Sequence, residues 1–235
     1  FAFDSHLIET PFIFGPQFTR ATAKSVRIHR AKKQQEHGLR MLEADEIRTL
    51  LSAAKPQLKA MILLACNGGL GNSDVANLPQ SALQGDWLQY ARVKTGVDRR
   101  IPLWPETLQA VNEAIAQRPR AKDQVDPGLC FLTRQGRRWV RFGSNGTSVV
   151  DLVSDAFSKL LKKHGLKRPG LGFYALRHGF ETIAGGCKDQ VAVNSIMGHI
   201  DNSMAANYRE MIDAKRLLKA TNHVRAWLFS GDADE

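Results

Sequence analysis

The sequence predicts an α+β domain, mostly α-helical, that carries a small antiparallel β-sheet. Three observations lead to it. Apolar residues recur at helical spacing through most of the 235 residues, as in Leu152, Val153, Ala156, Phe157, Leu160 and Leu161. Period-two alternation is confined to residues 87–93 (WLQYARV), which Lys94-Thr95-Gly96 turns back into Arg100-Ile101-Pro102-Leu103. Hydrophobic residues make up 43% of the chain, enough for a sizeable core without covalent cross-links. The cysteines agree. Cys66, Cys130 and Cys187 are odd in number and isolated, which argues for a reducing compartment and against a structural zinc site.

Residues 1–10 (FAFDSHLIET) read as the tail of a helix, and Pro11, Gly15 and Pro16 as a linker. From Met41 onward, Leu42, Ile47, Leu50 and Leu51 form a helical stripe, with Asp45 and Glu46 in the first turn where the helix dipole favours acids. Residues 57–66 (QLKAMILLAC) predict a buried helix ended by Asn67-Gly68-Gly69, and Asn72 or Ser73 is the expected cap of the next. A helix over 105–117 has Pro105 in its first turn and Leu108, Val111 and Ile115 on one face. Residues 128–142 (GLCFLTRQGRRWVRF) predict two short strands around Gln135-Gly136, followed by a loop at 143–147. Next comes a helix over 149–164 with Lys159, Lys162 and Lys163 outward. Pro169, Gly170 and Gly172 break the chain before a helical segment carrying Arg177 and His178. A second apolar helix, 189–197, closes at Gly198-His199, and Tyr208 follows nine residues later. The last helix, about 211–229, packs against its own domain or against a neighbouring protomer.

The formal net charge is +10, and the charge is clustered, which points to a polyanion as partner. Residues 19–40 hold Arg20, Lys24, Arg27, Arg30, Lys32, Lys33 and Arg40 against one acid, Glu36. That stretch is either a solvated tether or a basic strap along a phosphate backbone, where each neutralised phosphate releases counterions. No apolar run reaches transmembrane length and the first residues form no signal peptide, so no membrane partner and a cytoplasmic location are expected. The chain opens at Phe1 rather than methionine, so a longer natural N-terminus is also expected.

Residues 170–208 (GLGFYALRHGFETIAGGCKDQVAVNSIMGHIDNSMAANY) resemble the second signature block of the tyrosine recombinases, the phage integrase family. There an H-x-x-R motif precedes a G-H pair, and the tyrosine nucleophile comes nine residues after that histidine. Arg177, Gly198-His199 and Tyr208 match, while Tyr174 stands where the family has its first histidine. Residues 68–78 (GGLGNSDVANL) resemble the first block, T-G-x-R-x-S-E/D-x-x-x-L. Asp74 falls on the supporting acid, but Gly71 takes the place of the first catalytic arginine. The K-T-G…R-x-I/V-P-L hairpin is where the family keeps its catalytic lysine, which maps to Lys94.

The resemblance implies an integrase catalytic-domain fold over 41–235, a basic linker over 19–40, and in 1–18 the remnant of a DNA-clamping core-binding domain. It implies double-stranded DNA as partner, a homo-oligomer on that DNA, a nucleoid-associated location, and a transesterification without metal or cofactor. Tyr208 would attack the scissile phosphate to give a 3′-phosphotyrosyl link. Arg177 and His199 would hold the phosphate oxygens, Lys94 would protonate the leaving 5′-oxygen, and Tyr174 could still donate a hydrogen bond. Arg99 and Arg100 join the basic linker as expected DNA contacts. The guanidinium missing at Gly71 could come from Arg99, Arg100 or Arg209, or from the region before Phe1. A family member that binds DNA without cutting is the alternative, and a helical DNA-binding regulator unrelated to the family is a third reading.

Overall fold

The computed structural model describes residues 2–13, 15, 18–122, 124, 126–143, 148–201 and 203–230. The chain divides into two compact units, Phe1–Leu39 and Arg40–Glu235. In the first, residues 2–10 are turns and bends rather than the expected helix tail. Phe3 and Leu7, the side chains that would have formed a stripe, are exposed and so give a helix nothing to pack on. The basic stretch holds helix α1 (Ala23–His37), capped by Thr22, whose hydroxyl accepts the Ser25 N–H at 3.1 Å. None of its residues is buried, so its stability comes from propensity, capping and the exposed Lys32–Glu36 pair.

The second unit is built around α3 (Pro56–Gly68), in which every residue from Ala60 onward is buried. Pro56 pre-sets its first turn, and Gly69 closes it in the left-handed conformation at φ 65°. Asn67 and Gly68, expected to end the helix, lie inside it. The Asn67 amide is fully occupied, donating to the Pro102 carbonyl at 2.9 Å and accepting the Trp104 N–H at 2.8 Å. Around α3 pack α2 (Ala44–Ala53), α5 (Pro105–Ala116), α7 (Tyr174–Ala184) and α10 (Ala214–Phe229). Strands β1 (Leu83–Gln84), β2 (Trp87–Gln89) and β3 (Arg100–Pro102) form the expected small antiparallel sheet, with Leu88 opposite Ile101 and both fully buried.

Three local expectations are corrected. Helix α4 (Asn72–Ala76) is capped by Gly71, not by Asn72 or Ser73. The Asn72 amide is instead committed to Asp151 at 2.9 Å and Ser154 at 2.8 Å. No hairpin ladder forms around Gln135-Gly136. Leu129–Leu132 is buried without strand partners beyond one bridge to Pro79, and β4 (Val140–Phe142) pairs with β5 (Val149–Asp151). Helix α6 (Leu152–Lys163) therefore starts later than the sequence suggests, where Asp151 caps it by accepting the Ser154 N–H at 2.9 Å. Val149 and Val150, β-branched, favour the strand. Of the expected 143–147 loop, residues 144–147 lie outside the described residues.

The chain continues through α8 (Gln190–Met197) and the short α9 (Met204–Asn207) to α10. That last helix docks on its own domain. Leu217, Ala220, Thr221, Val224 and Leu228 are buried, Trp104 Nε1 donates to the Thr221 carbonyl at 3.1 Å, and Arg225 pairs with Glu106. Among the described residues no helix is long and apolar enough to cross a membrane.

Candidate active site

Arg177 lies one turn into α7, 2% exposed, and no carboxylate pairs with it. Its guanidinium donates through Nη1 to the Gly69 carbonyl at the end of α3 and through Nη2 to the Met197 carbonyl at the end of α8, at 2.9 Å. Helix C-termini leave carbonyls unpaired and carry the negative end of the dipole, so two helix ends hold one cation. Burial still pulls the Arg177 pKa below its ordinary value, and the Arg92 charge adds to this, against Tyr174 and Asp74.

Gly198 ends α8 at φ 64°, and the next residue is His199. The His199 N–H donates to the Asn194 carbonyl at 2.9 Å and the Gly198 N–H to Ser195, which is a Schellman closure. The lysine hairpin docks on this closure. Arg92 Nη1 and Thr95 Oγ1, on either side of Lys94, both donate to the Gly198 carbonyl, at 3.2 and 3.1 Å. The approach is close enough to require glycine, since a methyl carbon at 198 would lie 2.9 Å from the Arg99 stem and 3.0 Å from that of Arg92. Lys94 itself sits exposed in the turn.

Asp74 is buried and accepts the Gly71 N–H at 2.9 Å. Its other partner is Arg99, at 3.3 and 3.4 Å. Arg99 was expected to contact DNA, and that expectation is corrected: it is 1% exposed, Nε donates to the Tyr90 carbonyl at 3.1 Å, and burial lowers its pKa against the pull of Asp74. Arg100 does lie at the surface, its guanidinium 4.1 Å from the centre of the Trp87 ring. Tyr174 is half exposed, edge-on to His178, and its ring covers Gly71 so closely that a methyl carbon there would sit 3.3 Å from it. Tyr208 caps the end of α9 and is 80% exposed. Its hydroxyl makes no hydrogen bond among the described residues. Arg209, the next residue, is committed to Asp201 at 3.2 Å.

The phage integrase family matches this chain over residues 40–215, three-quarters of its length. The chain belongs to the phage integrase family. No curated protein matches it. Among solved structures, it is similar to the Tn1549 transposon integrase in complex with circular intermediate DNA, at 20% identity and a TM-score of 0.52 over 75% of this chain and 62% of that one. XerA recombinase is 18% identical with a TM-score of 0.55, covering 79% and 65% of the two chains. The XerH site-specific recombinase bound to palindromic difH substrate is 15% identical with a TM-score of 0.53, covering 78% and 52%. The chain thus spans between about half and two-thirds of these relatives, which share its integrase catalytic fold.

Within that family fold, contacts link Gly71, Asp74, Arg99, Tyr174 and Gly198, while Arg177 is tied to Met197, the neighbour of Gly198-His199 in the chain. The structure leaves Lys94 and Tyr208 on exposed segments, and places Lys24, Arg27, Arg30, Lys32 and Lys33 on α1, with Arg20 just before it. Two residues of the site were not read from the sequence. Arg92 gave no signal beyond its charge, since it lies past the end of β2 and just before the turn at 93–95. Glu181, whose Oε2 lies 3.9 Å from His199 Nδ1, gave no signal of its own.

Proposed function

We propose that this chain is the catalytic part of a DNA strand transferase that cuts through Tyr208 and rejoins strands by the reverse step. The observation that carries the reading is the convergence of Arg177, His199 and the Lys94 hairpin on the ends of α3 and α8. A phosphate seated there would meet a preorganised cation in Arg177, which needs no reorganisation as charge builds on its oxygens. Arg177 spends one N–H of each Nη on a carbonyl and keeps others free to face it. Tyr208, with a phenol pKa near 10 in water, must lose its proton as its oxygen attacks phosphorus. Lys94 gives the departing 5′-oxygen a proton, and Tyr174 donates a hydrogen bond.

In this reading residues 19–40 strap along the DNA backbone, residues 1–18 end a clamp domain, and the protein works on double-stranded DNA as a homo-oligomer in the nucleoid. No metal or small-molecule cofactor takes part. Arg92, whose charge acts on both Arg177 and His199, makes up only part of the cation absent at Gly71, since its Nη1 is held by the Gly198 carbonyl. Arg99 and Arg209 are already committed to Asp74 and Asp201.

A nicked suicide substrate carrying the element's own ends tests this. The expected result is a denaturation-resistant protein–DNA adduct that is absent in Tyr208→Phe. Gly71 favours a second reading, a member that binds DNA without cutting, since losing one such donor costs about 10² to 10³ in rate. Salt-sensitive binding with no adduct at any time would establish that second reading and remove the first.

A further inference from the structure

His199 is gripped from one side by a network in which each proton position follows from the last. The Glu181 carboxylate, when ionised, can only accept, so the Gln190 side chain must turn its Nε2 toward Oε1, at 2.9 Å. The second hydrogen of that same nitrogen goes to Asn194, at 2.9 Å, which must therefore present Oδ1. Asn194 Oδ1 faces His199 Nδ1 at 3.4 Å, so Nδ1 must carry a proton. The second carboxylate oxygen, Glu181 Oε2, is buried without a hydrogen-bond partner and lies 3.9 Å from the same Nδ1. A buried acceptor without a donor is costly, and His199 is the group placed to relieve it by a small ring rotation. Nε2 makes no hydrogen bond among the described residues, and the ring is 37% exposed on that account.

We propose that Glu181 and Asn194 are positioning residues that lock His199 in its Nδ1–H form, so that Nε2 accepts the Tyr208 proton. This rests on the cleavage reading above. It gives the proton-acceptor role to His199 where Tyr174 cannot fill it. In the forward step the Tyr208 O–H bond breaks and its proton passes to Nε2. The phenolic oxygen bonds to phosphorus, the bond from phosphorus to the 5′-oxygen breaks, and that oxygen takes a proton from Lys94. Rejoining runs the same transfers backwards. The charges facing His199 are Glu181 and Arg177 from α7 and Arg92 from the hairpin. Burial and the two arginines pull its pKa down, and Glu181 pulls it up. The ring is therefore neutral at neutral pH, as an acceptor must be, while Glu181 keeps it basic.

The first test reads the free protein and needs no DNA. Ring nitrogen shifts of His199 by NMR should show the Nδ1–H form, and Glu181→Gln should lower the pH at which the ring titrates. A resting Nε2–H form, or a midpoint unmoved by Glu181→Gln, overturns the lock. The second test follows adduct formation against pH. The rate rises as the acceptor loses its proton, so Glu181→Gln should move that rise to lower pH. It should also reduce the plateau by less than the ~10²–10⁴-fold lost on removing a general base outright in His199→Ala. A residue that mattered only for folding would lower the rate without moving the rise, and that result overturns the role. If wild type forms no adduct, the cleavage reading and the acceptor role fall together. The NMR result still judges the lock.

Discussion

On the reading proposed above, Gly71 and Tyr174 replace the family's first arginine and first histidine, and the two positions meet in space. The Tyr174 ring crowds position 71, where a methyl carbon would lie 3.3 Å from it. Restoring the arginine alone therefore drives it into a ring, whereas restoring both residues leaves it a path. Gly71→Arg should raise adduct formation little, Tyr174→His should raise it modestly, and the double variant should exceed their product. The surplus should approach the ~10²–10³-fold value of a preorganised donor, measured as single-turnover rates in a double-mutant cycle. Strict additivity would show that the two departures are independent. The burial of Arg99 was not legible in the sequence. A basic residue in a basic chain gives no sign that its carboxylate partner, Asp74, is 25 positions away and facing inward. Glu181 stayed hidden for the same reason, since its partners are assembled only by the meeting of α7 and α8.

Helices with long apolar stripes came through from sequence nearly intact. α2, α3, α5, α7 and α8 lie close to where they were expected, because burial decides them, of one face in most and all round in α3. The misses fell where hydrogen bonding outweighs pattern, at the Gly71 cap and in the pairing of β4 with β5 across a loop. Whether α10 docks at home or on a neighbour could not be read from its stripe, which suits either surface. It docks at home, pinned by Arg225 to Glu106 and by Arg216 to Asp189. Those arginines hold both carboxyls below their usual pKa. A carboxylate with a depressed folded pKa binds fewer protons folded than unfolded, so its contribution is complete above the unfolded value, about 4, and is lost as pH falls through the folded one. The melting temperature should therefore drop as the pH is taken below about 4, and Arg216→Gln with Arg225→Gln should flatten that drop. An unaltered acid profile in the double variant would show that α10 is held by its apolar face alone.

The excess of positive charge gives the full chain its most accessible prediction. α1 carries Lys24, Arg27, Arg30, Lys32 and Lys33 with no buried residue to explain its persistence as a helix. If it lies along a duplex, log affinity should fall steeply with log salt, and each phosphate contact removed should lessen the slope by about 0.9. Replacing Lys24, Arg27 and Arg30 with glutamine should thus flatten the slope by up to about 3, measured by fluorescence anisotropy between low and physiological salt. A slope that does not change would assign those charges to solvent. Composition suggested a polyanion partner, but it could not say that the charge would sit on a helix rather than a loose tether.

The carbonyl oxygen of Gly198 has two lone pairs, and both are spoken for, one by the residue two before Lys94 and one by the residue after it. On the chemistry proposed here, the amine that delivers a proton and the imidazole that collects one are therefore bolted to a single atom. Whatever lifts the hairpin from that atom withdraws the amine and leaves the imidazole on Asn194, so departure of one oxygen can be switched off while attack by the other stays armed.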